Sequence, residues 1–480
     1  MNRTRQILKK SAAAVLCASL ILSGSSTAFA AGSYQETEKA ALNKLTDGIP
    51  ETWDTYLENY KKSAAGSKSN MTLKVEDTGR ALIGALMGGT DVSWLQSISL
   101  DSNISIKDGV EAIVSSVLLN DNKLCDFNVY MDLANMMEYI QIPELSDSYM
   151  KAPVSSDSEE NSEEAQQFLN TYMTTLSDLT SVLPDSKTLS TLLDRYGNII
   201  IDSFEEGSSV EESVSVDGIS EECTAYEGII SEKSAYTIVE KVLTTAKDDE
   251  EIKALFDQWS DDASNEENQY KDFQNLITDA LDDMNRDDEG STENEAFSSK
   301  VWVNGDGKIV GRQFGITDGT DTTPVFTWKA PSEGEDSALL LELAADDSSF
   351  TFTGSGKTAD GLLNGDYILA VNGTETVDIN VENLETKPAK AGYYNGTFNI
   401  SFPAAETDSS DSEAGESTED DTDTSATDML AGFGAVIKLT SDADADTSTL
   451  DLTVTTSGAA LATLSITGSY GEGVEIPDFA

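Results

Sequence analysis

Val301-Trp302-Val303-Asn304-Gly305-Asp306-Gly307-Lys308-Ile309-Val310 decides how this chain is read. Two short β-favouring runs flank a centre of Asn, Gly and Asp, the residue types that enter left-handed backbone most easily, so the stretch predicts a β-hairpin. From Lys300 onward the pattern stays almost entirely β. Further turns are expected at Gly354-Ser355-Gly356-Lys357-Thr358, Asn364-Gly365-Asp366, Asn372-Gly373 and Asn395-Gly396. The last strands centre on Val436–Leu439, Leu450–Val454, Leu461–Ile466 and Val474–Pro477, which makes this half a meander.

Upstream, apolar residues alternate with polar ones in Met71, Leu73 and Val75, in Ile98 and Leu100, in Ile104 and Ile106, in Phe127 to Leu133, and in Ile140 and Ile142. Period two with one polar face predicts half-buried antiparallel strands, with turns at Asp101-Ser102-Asn103 and Asn120-Asp121-Asn122. Helical spacing appears instead in 34–62, where Trp53, Tyr56, Leu57 and Tyr60 share a face, and again in 168–179. After a β segment through Val214, Val216 and Cys223–Ile230, Ser231 is placed to cap a helix with the face Tyr236, Val239, Leu243 and Ala246. Two more amphipathic stretches follow, over 252–259 and 273–284. The fold class is α+β: antiparallel strands with one apolar face, and helices with an apolar stripe that must cover something.

The chain has 30 Lys and Arg against 87 Asp and Glu, a formal charge of −57. Residues 1–30 carry Arg3, Arg5, Lys9 and Lys10, then an apolar run ending before Ala28-Phe29-Ala30, the order of a secretory signal peptide cut after Ala30. Its apolar run falls short of the roughly 20 residues a membrane span needs. Without it, 26 basic residues face 87 acidic ones, and the net charge becomes −61. Such a field repels nucleic-acid phosphates and anionic lipid headgroups. The expectation is a monomeric secreted or extracytoplasmic protein, associated with a bacterial cell surface at most. Residues 31–480 are expected to form one domain, with solvated acidic loops at 155–164 and 404–428, where no large apolar side chain is available for burial. Outside the signal segment only Cys125 and Cys223 remain; one disulfide or two buried thiols are both open.

There is no histidine. That removes Ser-His-Asp and Cys-His hydrolases and every His-bearing zinc site, and two cysteines cannot make a four-thiolate one. Gly354-Ser355-Gly356-Lys357-Thr358 ends like a phosphate-binding loop, but Thr351 stands where its first glycine belongs and no helix pattern follows. Asp442, Asp444 and Asp446 alternate like the start of a Ca²⁺ loop, yet Thr447 replaces the turn glycine and Thr453 the closing Glu. Paired carboxylates for glycoside hydrolysis would arise by chance among 87 acids, so they carry no specificity. No catalytic residue, metal ligand or cofactor is assigned, and the protein is read as a non-enzyme.

The Val301–Val310 hairpin, extended through Gly311-Arg312, resembles the Trp-bearing hairpin of the LolA/LppX-type extracytoplasmic lipoprotein and lipid carriers. The ending Tyr470-Gly471-Glu472-Gly473-Val474-Glu475-Ile476-Pro477 resembles that family's terminal strand, and the order of elements agrees. The resemblance implies a strongly curved antiparallel sheet, an incomplete barrel, whose concave face is covered by amphipathic helices and can enclose a hydrophobic small molecule or lipid. A cell-surface interaction module with an acidic docking face is the alternative, and a carboxylate-based glycosidase a third. Ligand-lining residues are not separable from core residues in the sequence, because both show the same apolar pattern.

Overall fold

The computed structural model describes residues 32–107, 109–132, 135–153, 183–259, 263–287, 296–317, 322–345, 348–388, 390, 392–403 and 431–479. The signal segment, the acidic stretches 155–164 and 404–428, and the helix expected over 168–179 lie outside these residues. Among the described residues the chain is an α+β protein with six helices and a large antiparallel sheet of twenty strands. No helix there is long and apolar enough to cross a membrane. The chain divides into two compact units, Met1–Glu58 with Asp178–Ser355 and Asn59–Ser177 with Gly356–Ala480.

In the first unit, α1 (Tyr34–Ala65, whose last turns belong to the second unit), α3 (Ser186–Ile201), α4 (Glu232–Lys247), α5 (Glu250–Trp259) and α6 (Ala263–Asp287) accompany strands β7 (Glu205–Val216), β8 (Ile219–Ser231), β9 (Ala296–Asn304), β10 (Ile309–Thr317), β11 (Thr322–Lys329), β12 (Ser332–Glu333) and β13 (Asp336–Ala345). Ser231 caps α4, its Oγ accepting from the Ser234 amide at 3.1 Å, as its place before an amphipathic run predicts. The β9–β10 hairpin forms as expected: the Asn304 side chain accepts from the Asp306 and Lys308 amides, and Gly307 has φ +75°. A bulge between Ile309 and Gly311 reverses the parity of β10. Ile309, Arg312 and Phe314 therefore share the helix-covered side with Val301 and Val303, while Val310 joins Trp302 on the other.

That covered side is the main core. Tyr34, Ala41, Ile200 and Ile238 of the helices pack on Tyr226, Ile230, Val301, Val303 and Ile309, all nearly or fully excluded from solvent. Gly228 is required under Tyr34, because a Cβ there would come within 2.5 Å of the ring. One ion pair is sealed in this layer: Arg312 donates to Glu38, and both side chains are buried. Burial, then the nearby Glu38 carboxylate, holds the Tyr34 hydroxyl well above its ordinary pKa. A second polar knot joins the helices. Asp249 accepts from Arg195, Tyr196 and the Glu251 and Ile252 amides, so one carboxylate caps α5 and ties it to α3.

In the second unit, β1 (Ser67–Val75), α2 (Asp77–Leu86), β2 (Ser97–Lys107), β3 (Val110–Leu119), β4 (Asn122–Asp132), β5 (Met137–Gln141) and β6 (Met150–Pro153) combine with β15 (Leu362–Val371), β16 (Thr374–Glu385), β17 (Gly396–Ser401), β18 (Phe433–Asp442), β19 (Thr447–Thr456) and β20 (Ala459–Tyr470). The remaining strand, β14 (Ser348–Ala359), runs across the boundary. Successive antiparallel pairs run β6-β5-β4-β3-β2-β1-β20-β19-β18-β17-β16-β15. The first and last strands of the chain thus meet at β1–β20.

Several expectations are corrected. The sheet is neither closed nor strongly curled, so the incomplete barrel implied by the family resemblance is not formed. Asp101-Ser102-Asn103 lies inside β2, Gly354–Thr358 inside β14 and Asn364-Gly365-Asp366 inside β15. In each case the reversal falls a few residues away or not at all, because cross-strand pairing overrides local turn preference. Val474–Pro477 is no strand; the Val474 amide donates to Ser105 Oγ, and Ile476 and Phe479 pack on Tyr130 and Tyr139.

Candidate functional site

Period two gives every strand of the second unit two unlike faces, and the registers align them. On one face Leu119, Ile98, Leu73 and Leu464 stand side by side, and the row continues through Leu452, Ile437 and Phe398 to Val381. The neighbouring row is Val117, Leu100, Met71, Ile466, Leu450 and Leu439. On the other flank Ala462, Val454, Ala435, Ile400, Ile379 and Tyr367 form a third. At the usual strand spacing this apolar band extends about 40 Å across nine strands and about 14 Å along them.

The band is bounded. One row beyond Leu100 and Met71 the same face turns to Ser115, Ser102, Ser69, Gly468, Ser448 and Ser441, with Ser102 and Ser115 hydroxyls 2.8 Å apart. The opposite face is polar throughout its middle. There Thr72 bonds Ser99 at 2.9 Å, and the threonine pairs 449–467 and 453–463 close at 2.9 Å each. Asp366, Asn380 and Asn399 form a hydrogen-bonded ladder along a groove of about 330 Å³ on that side.

What separates the band from a core is its cover. Met71, Leu73, Ile98, Leu100, Leu450 and Val454 are 37–44% exposed, whereas their counterparts in the first unit, Val301, Val303 and Ile309, are at most 2% exposed. A contiguous aliphatic surface of this size is the kind that binds something, since a soluble chain gains by covering it. Completing the burial of one such side chain contributes on the order of 1 kcal/mol.

The residues singled out in the sequence have other roles. Cys125 and Cys223 are both free thiols. Burial, then Glu221, pushes the Cys223 thiol up to about 12, so it stays protonated. Asp442 closes the β18–β19 turn by accepting from the Asp444 and Ala445 amides, and Asp446 is taken by Lys390, so two of these three carboxylates are occupied by the protein's own donors. Trp302 is buried: its Nε1 donates to Glu212 at 3.0 Å, and Lys329 and Lys300 lie 5.2 and 5.5 Å from its ring. The band was visible in the sequence only as alternation. Its openness was not, because alternation is the same whether a face is covered or bare.

No family model matches this chain, and no curated protein matches it. Among solved structures it shows similarity to the isotype 1 transferrin binding protein B from serogroup B Neisseria meningitidis, at 6% identity over 85% of this chain and 76% of that one, with a TM-score of 0.12. A score that low bears on neither fold nor function.

Proposed function

We propose that this is an exported, non-enzymatic binding protein that shelters a hydrophobic, lipid-like molecule on the apolar band of its second unit. The observation carrying this reading is the aliphatic face, beside a polar one, that stays part-open to solvent on β1, β2 and β19 and is buried only toward Val381 and Tyr367. Aliphatic Leu, Ile, Val and Met dominate the band, which suits acyl chains better than planar aromatic ligands. The resemblance of the Trp302 hairpin to lipid and lipoprotein carriers points the same way. A net charge of −61 without residues 1–30 disfavours a ligand with an anionic headgroup and favours a neutral or cationic one.

The test is titration with a fluorescent fatty-alcohol probe, alongside native mass spectrometry of the gently purified protein. Saturable binding is expected, with at least a tenfold loss in Ile98→Lys/Leu452→Lys. Absence of both co-purifying lipid and probe binding, or unchanged affinity in that variant, would overturn the reading.

A further inference from the structure

We infer that the tip formed by α2 and the loop after it is a membrane-contacting element that inserts into uncharged lipid surfaces. Leu86 is 80% exposed, Met87 58%, Trp94 55% and Leu82 45%, four exposed large apolar side chains in one short stretch of sequence. Ala81–Leu100 contains one charged residue, Asp91, in a chain that is 24% charged. The acidic charge carried by most of the chain is left off this stretch, as it is off Leu452–Gly471.

The tip is built, not frayed. Val92 is buried and anchors the loop from inside. The Asn120 side chain accepts from the Gln96 and Ser97 amides and donates to the Trp94 carbonyl at 2.6 Å, holding the backbone while the indole stays exposed. Gly88 and Gly89 take φ of +72° and +87°, and the Gly89 amide returns to the Gly84 carbonyl, so the chain reverses sharply and leaves Leu86 and Met87 at the apex. Asp91 is used locally, accepting from the Ser93 amide.

The chemistry fits one partner. Aliphatic side chains with a tryptophan and almost no charge match the boundary between headgroups and acyl chains, where indoles concentrate. An anionic bilayer would repel the rest of the molecule, so a neutral, zwitterionic surface is the fitting one. The tip also adjoins the apolar band: Gly79 of α2 sits against Val75, which pairs with Ala462 at the end of the band's third row. A tip that touches a bilayer there would let an acyl chain pass between lipid and band without crossing water. That purpose rests on the binding function proposed above; the membrane contact does not.

The experiment uses the full chain with extruded phosphatidylcholine vesicles, read by co-flotation and by quenching of tryptophan with brominated acyl chains. Wild-type protein is expected to float, Leu86→Asp/Met87→Asp to lose at least tenfold in partitioning, and Trp94→Phe to lose most of the quenching. Replacing a third of the lipid with phosphatidylglycerol should weaken flotation at low salt. Failure of the wild type to float, or unchanged flotation of the double variant, would overturn the assignment. So would sedimentation velocity showing that the double variant merely dissolves a dimer formed through the tip. The soluble probe separates the two readings. Vesicle binding without probe binding keeps the tip and removes the carrier function, and probe binding without vesicle binding does the reverse.

Discussion

The two units use the same strand grammar and treat the result differently. In the first, three helices and a sheet enclose Ile230, Val301, Val303 and Ile309 completely. In the second, Leu73, Ile98, Leu100 and Met71 alternate just as regularly and keep about two-fifths of their surface in solvent. The contrast shows that period two specifies a face, whereas the elements packed on that face specify whether it is a core or a surface.

The largest expected effect lies in the sealed layer of the first unit. Glu38→Ala leaves the Arg312 guanidinium buried without its counter-charge, and should destabilise that unit by about 3–5 kcal/mol in urea denaturation. Glu38→Met/Arg312→Met should recover most of this loss, since the guanidinium Nε and one Nη already lack a protein partner. A double variant as unstable as the single one would show that the pair fastens α1 by more than charge balance.

A smaller and sharper comparison sets two isoleucines against each other. Ile309→Ala should cost about 2–5 kcal/mol, the range for a filled core. Ile98→Ala should cost less than about 1 kcal/mol, because much of that side chain is already hydrated. Equal losses would mean that the second unit's band is covered in solution and would break the contrast.

The smallest effect is on acid stability. Burial alone would raise the Asp249 carboxyl, but hydrogen bonds from Arg195, Tyr196 and the Ile252 amide outweigh it and bring it down to about 2. The unfolded chain therefore takes up this proton first as pH falls. The stabilisation is complete above the ordinary carboxylate range near 4, and is lost as pH drops from there toward 2. Asp249→Asn should flatten that acid limb in a pH series of thermal melts, while leaving the shape of the curve above pH 5 unchanged.

Much of the framework was legible wherever local and long-range preferences agree. Asn304–Gly307 makes the hairpin, Ser231 caps α4, and Asn120-Asp121 turns with φ of +50° and +63°, each as its residue types dictate. Asn364-Gly365-Asp366 has the same composition yet stays within β15, answering with a bulge between Leu363 and Gly365 instead of a reversal, because pairing with β16 outweighs its turn preference. The helix α2 escaped notice since Gly79 and Gly84 dilute a ten-residue pattern. The β1–β20 pairing, which brings Met71 beside Ile466, joins segments almost four hundred residues apart and has no local signature. The apolar band depends on it, so the site could be suspected from alternation but not assembled from it.

The measurement closest to the central claim is photocrosslinking of the intact protein with a diazirine-bearing fatty alcohol, followed by peptide mapping. Adducts should concentrate in β1, β2, β19 and β20, on the side chains of Leu73, Ile98, Leu452 and Leu464, and disappear when unlabelled alcohol is added in excess. Adducts confined to the first unit, or labelling that excess competitor does not reduce, would contradict it.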